Sequence, residues 1–579
     1  MDISLPHAIR SNSTIRSSNG CWTCRLRRKK CDEKSPVCDV CAALHITCYY
    51  DVEKPEWMDG GVRQEEMAER LKREVKEKAH LRREVRQTHT PDDLPRTAVP
   101  EGLNNEMGSR SETSASRLQR RADCTVAGKE FRDGPSFGRS CTILITFYLE
   151  NLLPFLFPFY RPSPLEGGRS WILEMMISSP VVRQATLCQS SYFFSLAQGT
   201  ANHDAVWETV LAQTREAFGV LRQSLQVIDG SNITEHIHGA VRIMASVMQM
   251  QRFEITVLCF DNCQAHLNAG VALFKQLLDS SGAVETASPS AKFTAVINRL
   301  GPPTRISPAQ NIEVQSAEQA AFRFSSALLI FDDIISSTVL QDHPRLYEYH
   351  HCLLSDVNGT DPLIDLETVI GCQNWVLLRI SEISVLDVWK QQCKAEGNLD
   401  VMELVRRATV IKSCLEARLI QPGVEALITP QHGETLMNVF TEHSYEQVPD
   451  NQTRVVTRIW AHAALIYLSI VVSGWQPASA EIRYHSNQVI DLLTNLISPA
   501  SLLRTMVWPF CVAGCFAEPA QEAQLNGMVY TLQPPAVFGT VRKALEIMGN
   551  VWRNRDLDQL PMLDLATCFR VRGDLVLLV

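Results

Sequence analysis

Cys21-Trp22-Thr23-Cys24-Arg25-Leu26-Arg27-Arg28-Lys29-Lys30-Cys31, answered by Cys38-Asp39-Val40-Cys41 and closed by Cys48, repeats one spacing twice: C-x2-C-x6-C, six residues, then C-x2-C-x6-C. Two residues between cysteines let a pair of thiolates converge on one tetrahedral metal. Six residues leave room for a short helix before the next ligand returns. Six thiolates satisfy two four-coordinate zinc ions only if two sulfurs bridge, because unshared ligation would need eight. The spacing therefore predicts a binuclear zinc cluster with Cys21, Cys24, Cys31, Cys38, Cys41 and Cys48 as ligands.

Around that stretch, composition bounds the rest. The chain has 579 residues, 45% hydrophobic and 21% charged, as a folded protein would. A net charge of -8 argues against nucleic acid only if charge is spread evenly. It is not: Arg25, Arg27, Arg28, Lys29 and Lys30 lie within one hexad between two ligands. Metal binding would hold that backbone rigid, with cations available to guanine O6 and N7 at a major-groove edge. Without the cysteines, such a charge run would read as a solvated face. The segment Met1 to Gly20 is polar and lacks the apolar core of a signal peptide, so a reducing compartment is expected for the 18 cysteines. Those outside the cluster lie in apolar segments and read as small buried hydrophobes. The apolar run Thr142 to Tyr160 contains Glu150, Asn151, Pro154 and Pro158, which does not suit a membrane-spanning helix, and no membrane partner is expected.

The segment Cys21 to Cys48 resembles the binuclear zinc cluster DNA-binding domain of fungal transcription regulators. That resemblance implies that Cys21 and Cys38 bridge, that Cys24 and Cys31 complete one zinc site, and that Cys41 and Cys48 complete the other. It also implies that the residue three positions before the third cysteine, here Arg28, reads a C-G-G triplet, although lysine is common there. Arg25, Arg27, Lys29 and Lys30 are then assigned to phosphate contacts or nuclear import. Double-stranded DNA, transcription machinery or co-regulators, and a nuclear location follow as expectations.

Farther along, residues 1–19 read as a disordered tail, 20–50 as the zinc module and 51–62 as a linker. Residues 63–88 form a charged helix with Glu66/Arg70, Glu69/Arg73 and Glu74/Lys78 at i,i+4 spacing. Its apolar positions, Met67, Leu71, Val75, Leu81 and Val85, give at best a short, imperfect coiled coil, because Lys78 takes a d position, and the alternative is a solvated single helix held by its salt bridges. The family commonly places such a helix after its cluster, which implies a homodimer through 63–88. Residues 89–138, rich in Pro, Ser, Gly, Asn and Arg, read as a disordered linker.

From 139 to 579 the apolar period is helical. Phe260, Cys263, Leu267, Val271, Phe274 and Leu278 recur at steps of three and four, as do Val401, Leu404, Ala408, Ile411, Leu415 and Leu419. Val489, Leu492, Leu493 and Leu496 form a third stripe, and Val541, Leu545, Met548 and Trp552 a fourth. The expected fold class is mostly α: a zinc cluster, a coiled-coil-like helix, a flexible linker and one large all-helical effector domain. Phe155 to Pro162, Asn374 to Leu377, Ile459 to Tyr467, Ser473 to Pro477 and Trp508 to Cys515 resemble the helical effector domain of one branch of these regulators, which includes the acriflavine-sensitivity control protein. The resemblance implies a specialised-metabolite or drug-response gene set as target.

Other groups carry less. Glu235-His236-Ile237-His238 and Tyr349-His350-His351-Cys352 lack metal-site spacing, and Cys259/Cys263 and Cys511/Cys515 read as packing rather than redox pairs. Asn451-Gln452-Thr453 matches a glycosylation acceptor that means nothing in a nuclear protein. There is no Gly-rich phosphate loop, no H-E-x-x-H and no G-x-S-x-G, so no enzyme chemistry is expected. The alternatives to a DNA-binding regulator are a co-regulator that does not bind DNA and a metabolite-sensing interaction protein, each acting through the helical domain. Asp356 to Val369 is an acidic-apolar stretch that reads as an inter-helix loop before it reads as an activation surface.

Overall fold

The computed structural model describes residues 20–72, apart from 28, 30, 35–36, 45, 50–53, 56, 60, 62 and 65–66. It also describes 138–579, apart from 165–166, 199–211, 225–235, 281–286, 306–312, 357–360, 421–450, 556–563, 572–573 and 576–579. The expectations for 1–19, for 73–88 and for nearly all of 89–138 fall outside the described residues. The chain divides into two units, one ending at Gly128 and one beginning at Lys129.

The first unit carries two short helices, α1 (Trp22–Leu26) and α2 (Asp39–Leu44). Residues 63–64 and 67–72 are also helical, with Met67 and Leu71 buried. The Arg70 guanidinium donates to the Tyr49 hydroxyl at 2.8 Å, and Tyr49 meets Trp57 edge-on at 5.4 Å. The stretch read as linker and helix is thus tied back to the zinc module at its start.

The second unit is helical. Its principal elements are α3 (Arg139–Phe147), α4 (Ser170–Ser178), α5 (Pro180–Gln198), α6 (Ile237–Thr256), α7 (Phe260–Asp279), α8 (Pro289–Arg299), α9 (Ala317–Leu340) and α10 (Tyr347–Leu354). They continue with α11 (Asn374–Glu396), α12 (Val401–Ile420), α13 (Gln452–Ser473), α14 (Ala480–Asn495), α15 (Val507–Gly514), α16 (Pro519–Thr531), α17 (Gly539–Arg553) and α18 (Leu565–Phe569). Among the described residues the only strands are two antiparallel pairs, Thr304–Arg305 with Glu313–Val314 and Arg570–Val571 with Asp574–Leu575.

The axis of this unit is α9. Ser316 starts it with a capping box: its hydroxyl accepts the Gln319 backbone N–H at 3.2 Å, and the Gln319 side-chain Oε1 accepts the Ser316 backbone N–H at 3.0 Å. From Ala317 to Val339 nearly every side chain is buried, and a helix covered on all sides belongs inside a large domain. It packs against α4, α6, α11 and α18. Trp508 on α15 stacks on Trp460 of α13 with ring centroids 5.5 Å apart and donates its indole N–H to Thr338 on α9 at 2.9 Å. Gly514 ends α15 where an added methyl would collide with Met548 of α17, so close helix approach demands glycine there.

Most apolar stripes face the core as the periodicity requires. Cys263, Leu267, Val271, Phe274 and Leu278 are buried on α7, as are Leu404, Ala408, Ile411 and Leu415 on α12. Val401 and Leu496 are exposed, because each lies at a helix end beyond the packed face. On α17 the buried face is Val541, Ala544, Ile547, Met548 and Val551, while Leu545 and Trp552 are only half-buried. The run Thr142 to Tyr160 bends through a π-turn at Tyr148–Leu152 and inserts Tyr148, Leu152, Leu153 and Phe157 into the core. By length and composition α13 could cross a membrane, but 78% of its apolar window is buried inside the fold, as expected of a core helix. Ile364, Leu366 and Val369 of the acidic-apolar loop are also buried.

Candidate zinc centre and nucleic-acid interface

Each half of the cysteine repeat builds the same local unit. Cys21 is the N-cap of α1 and accepts the Cys24 N–H on its sulfur at 3.3 Å; Cys38 precedes α2 and accepts the Cys41 N–H at 3.4 Å. Unpaired amides at a helix start favour a negative sulfur. The Cys31 sulfur likewise accepts from the amides of Cys21 and Glu33, both at 3.4 Å. Thr23, fully buried between the first two cysteines, closes the module: its hydroxyl donates to the Thr47 carbonyl and accepts the Tyr49 N–H, both at 2.9 Å. The return of the Cys48 segment to α1 is completed by Trp22 N–H on the Tyr49 carbonyl at 2.8 Å. Thr23 carries no ligand chemistry, and its place inside C-x2-C was the one available hint of this role.

The sulfurs form two tetrads, Cys21, Cys24, Cys31 and Cys38, and Cys21, Cys38, Cys41 and Cys48, with all ligand atoms of each within 4.8 Å of one another. Cys21 and Cys38 belong to both. Separations are 3.7 Å for Cys21 to Cys38, 3.6 Å for Cys24 to Cys38, and 3.8 Å for both Cys21 and Cys24 to Cys41. A tetrahedron with zinc–sulfur bonds of about 2.3 Å has edges of about 3.8 Å, so the donor set fits zinc. Electrostatics agree. Burial pushes the Cys24 thiol up to about 11 and drives Cys21 and Cys41 higher still. At Cys38 burial acts the same way but is outweighed by the Cys41 amide and the neighbouring thiols, which bring it down to about 7. Sulfurs this close cannot all ionise without cations among them. When bound, zinc supplies that charge and cross-links the halves.

The basic hexad is described in part. Arg25 is half-buried with its guanidinium 4.4 Å over the Trp22 ring, Arg27 is the half-buried C-cap of α1, and Lys29 is exposed. The Lys29 N–H bonds the Cys24 carbonyl at 2.9 Å, which turns the chain after α1. Arg28, Lys30, Ser35 and Pro36 lie outside the described residues. Asp32 accepts the Asp39 N–H at 3.1 Å and Lys34 pairs with Asp39 at 2.6 Å, both exposed.

The other sequence clusters do not assemble into metal sites; the cysteine tetrads are the only such groups among the described residues. His350 is buried, bonded to Ser381 at 2.8 Å and 3.7 Å from Asp333, while His351 faces Glu382 at the surface. Cys511 and Cys515 are buried on α15 and beside its end, and Cys263 is buried while Cys259 is exposed. Glu235 lies outside the described residues. Sequence reading missed a histidine pair, His462 on α13 and His485 on α14, whose Nδ1 atoms are 2.9 Å apart. Burial drives both down, His462 to about 3 and His485 to about 4, with the neighbouring ring adding at His462. Twenty-three residues separate them, so only packing unites them.

Residues 19–56 match the fungal Zn(2)-Cys(6) binuclear cluster domain, and residues 143–574 match the fungal specific transcription factor domain. The chain is 33% identical to transcription factor dibT of Pestalotiopsis microspora, over 97% of this chain and 99% of the relative. It is 27% identical to pestheic acid cluster transcriptional regulator 3 of Pestalotiopsis fici, over 94% and 96%. It is 26% identical to the ustiloxin B cluster transcription factor ustR of Aspergillus flavus, over 93% and 95%. No solved structure matches the chain. The protein belongs to the fungal transcription factors that join a binuclear zinc cluster to the fungal specific transcription factor domain, here a large helical unit. It binds two zinc ions and is not an enzyme.

Proposed function

We propose that this protein is a nuclear, sequence-specific DNA-binding regulator of a specialised-metabolite gene set, whose zinc module reads a short G/C-rich, CGG-like half-site. The observation that carries this reading is the pair of cysteine tetrads sharing Cys21 and Cys38 around the basic hexad. In the proposed assignment those two sulfurs bridge, and Cys24, Cys31, Cys41 and Cys48 are terminal ligands. Arg28 donates to guanine, while Arg25, Arg27, Lys29 and Lys30 neutralise phosphates or serve nuclear import. Residues 20–50 form the reading head, 63–88 bring two copies together, and 139–579 carry the regulatory output through co-regulators or the transcription machinery. The names of relatives tied to pestheic acid, ustiloxin B and trichothecene biosynthesis support a biosynthetic cluster as target. Genome-wide mapping of bound DNA, paired with expression after deletion of the gene, tests the assignment. CGG-like half-sites upstream of a co-regulated biosynthetic cluster are expected; occupancy without sequence preference would overturn it.

A further inference from the structure

Beside α9, two small cavities share Phe157 and Arg252 as a common wall. One, of about 70 Å³, is bounded by Arg252, Arg504, Phe331 and Thr540. The other, of about 50 Å³, is lined by Gln189 with Met175, Met248 and Leu328. Trp171 and Phe324 line this second cavity and also an open cleft of about 1010 Å³.

The charged side chains that line the first cavity are both cations, Arg252 and Arg504. Arg252 pairs with the fully buried Asp332 at 2.5 Å. Arg504 has no carboxylate partner among the described residues: it donates to the Phe155 carbonyl and lies 4.4 Å over the Phe155 ring. Asp332 pairs with Arg252, and among the described residues no carboxylate lines the cavity that Arg504 enters. The Nε atoms of Arg252 and Arg504 are buried without a hydrogen-bond partner, as is Oδ2 of Asp332. Burial lowers the Arg504 guanidinium to about 9, with Arg252 adding to the effect. In the adjoining cavity Gln189 is 1% exposed, and neither its amide nitrogen nor its oxygen has a partner. Buried polar groups are nearly always satisfied, and an uncompensated buried charge is costly, so each orphan is a place for a water, an ion or a ligand group.

We propose that Arg504 and Arg252 receive the anionic head of a small organic acid whose apolar body lies along Phe157 toward Gln189, with entry past Trp171 and Phe324. One water needs about 10–15 Å³, so these cavities accommodate a carboxylate and a compact apolar body, and not a nucleotide or a peptide. Gln189 supplies both a donor and an acceptor to a polar substituent on that body. If the protein regulates transcription as proposed above, the helical unit thereby receives a chemical signal. That consequence rests on the proposed function, whereas binding does not, and the two fail separately.

The test uses the full-length, zinc-loaded protein, titrated calorimetrically and by thermal shift with benzoate, 2-naphthoate and hexanoate, each against its primary amide, and with sulfate. At least one acid should bind tenfold or more tightly than its amide, and Arg504→Gln should remove that preference. Acids and amides that bind alike, or no acid that binds, would overturn the proposal. Sulfate that binds as tightly as the best acid would also overturn it, by leaving no part for the apolar body. Should Arg504→Gln misfold, the wild-type acid-to-amide ratio still decides the head. Gln189→Leu should then reorder the acids without abolishing their preference over amides, and an unchanged order would refute the body's placement.

Discussion

The zinc module and the helical unit solve the same problem with different materials. In the module, the buried apolar cluster is Cys21, Cys24, Cys31, Cys38, Cys41 and Ile46, so the interior is nearly all ligand. In the helical unit, Trp460, Trp508, Tyr467, Phe274, Phe293 and Phe322 are among the fully buried side chains of one continuous core. A segment of a few tens of residues cannot bury enough apolar surface to offset its conformational entropy, whereas a chain of several hundred can. The difference teaches that one unit depends on metal and the other on packing.

The sharpest way to break that comparison is to remove the metal. Structural zinc contributes about 10–16 kcal/mol in small finger peptides, so a fragment spanning residues 20–51 should bind two zinc ions and unfold under a chelator. The helical unit of the same protein should keep its far-ultraviolet circular dichroism. Cys21→Ala or Cys38→Ala should lose both ions, and metal analysis returning one zinc per wild-type fragment would sink the cluster.

Next comes the packing side. Trp508→Ala removes a ring stacked on Trp460 and the indole N–H that the Thr338 hydroxyl accepts, and should cost about 3–5 kcal/mol. Thermal melts should show a less stable helical unit with zinc content unchanged; a matching loss of zinc would mean the units are not independent.

Acid should separate the two units again. Both His462 and His485 are held below their ordinary value, so the unfolded chain binds more protons than the folded one between about pH 6.5 and pH 4. Stability from the neutral pair is complete above pH 6.5 and falls with pH. The loss should be on the order of 2 kcal/mol per ring between pH 7 and pH 5. Denaturant melts of His462→Gln should show a shallower pH dependence, and a slope equal to the wild type would remove the pair from the account.

The smallest effects are expected at the reading head. Arg28→Ala should cost about 1–3 kcal/mol and relax base preference, while Lys29→Ala should weaken all sequences alike. Binding-site selection in which Arg28→Ala keeps the wild-type preference would transfer base reading to another residue.

Much of this was legible in the chain because the signals are local. The C-x2-C-x6-C repeat places ligands within one or two turns of one another, and the stripe Cys263, Leu267, Val271, Phe274 and Leu278 turns one helix face inward whatever it meets. On α17 the period was read but the face was turned: Ala544 and Ile547 are buried where Leu545 was expected. A helix shows its apolar stripe in sequence, but its neighbours decide which flank of that stripe is covered.

By itself, the sequence determined a metal-built module, a helical remainder and the class of transcription factor to which both belong, since thiolate spacing and helical period are properties of neighbouring residues. Only the tertiary structure decided which distant groups meet. The Trp460 and Trp508 stack, the His462 and His485 contact, the Thr23 clasp on Tyr49 and the confluence of Arg252 with Arg504 each join residues from separate elements. Such meetings are set by packing of whole helices and returning segments, and that packing has no period along the chain.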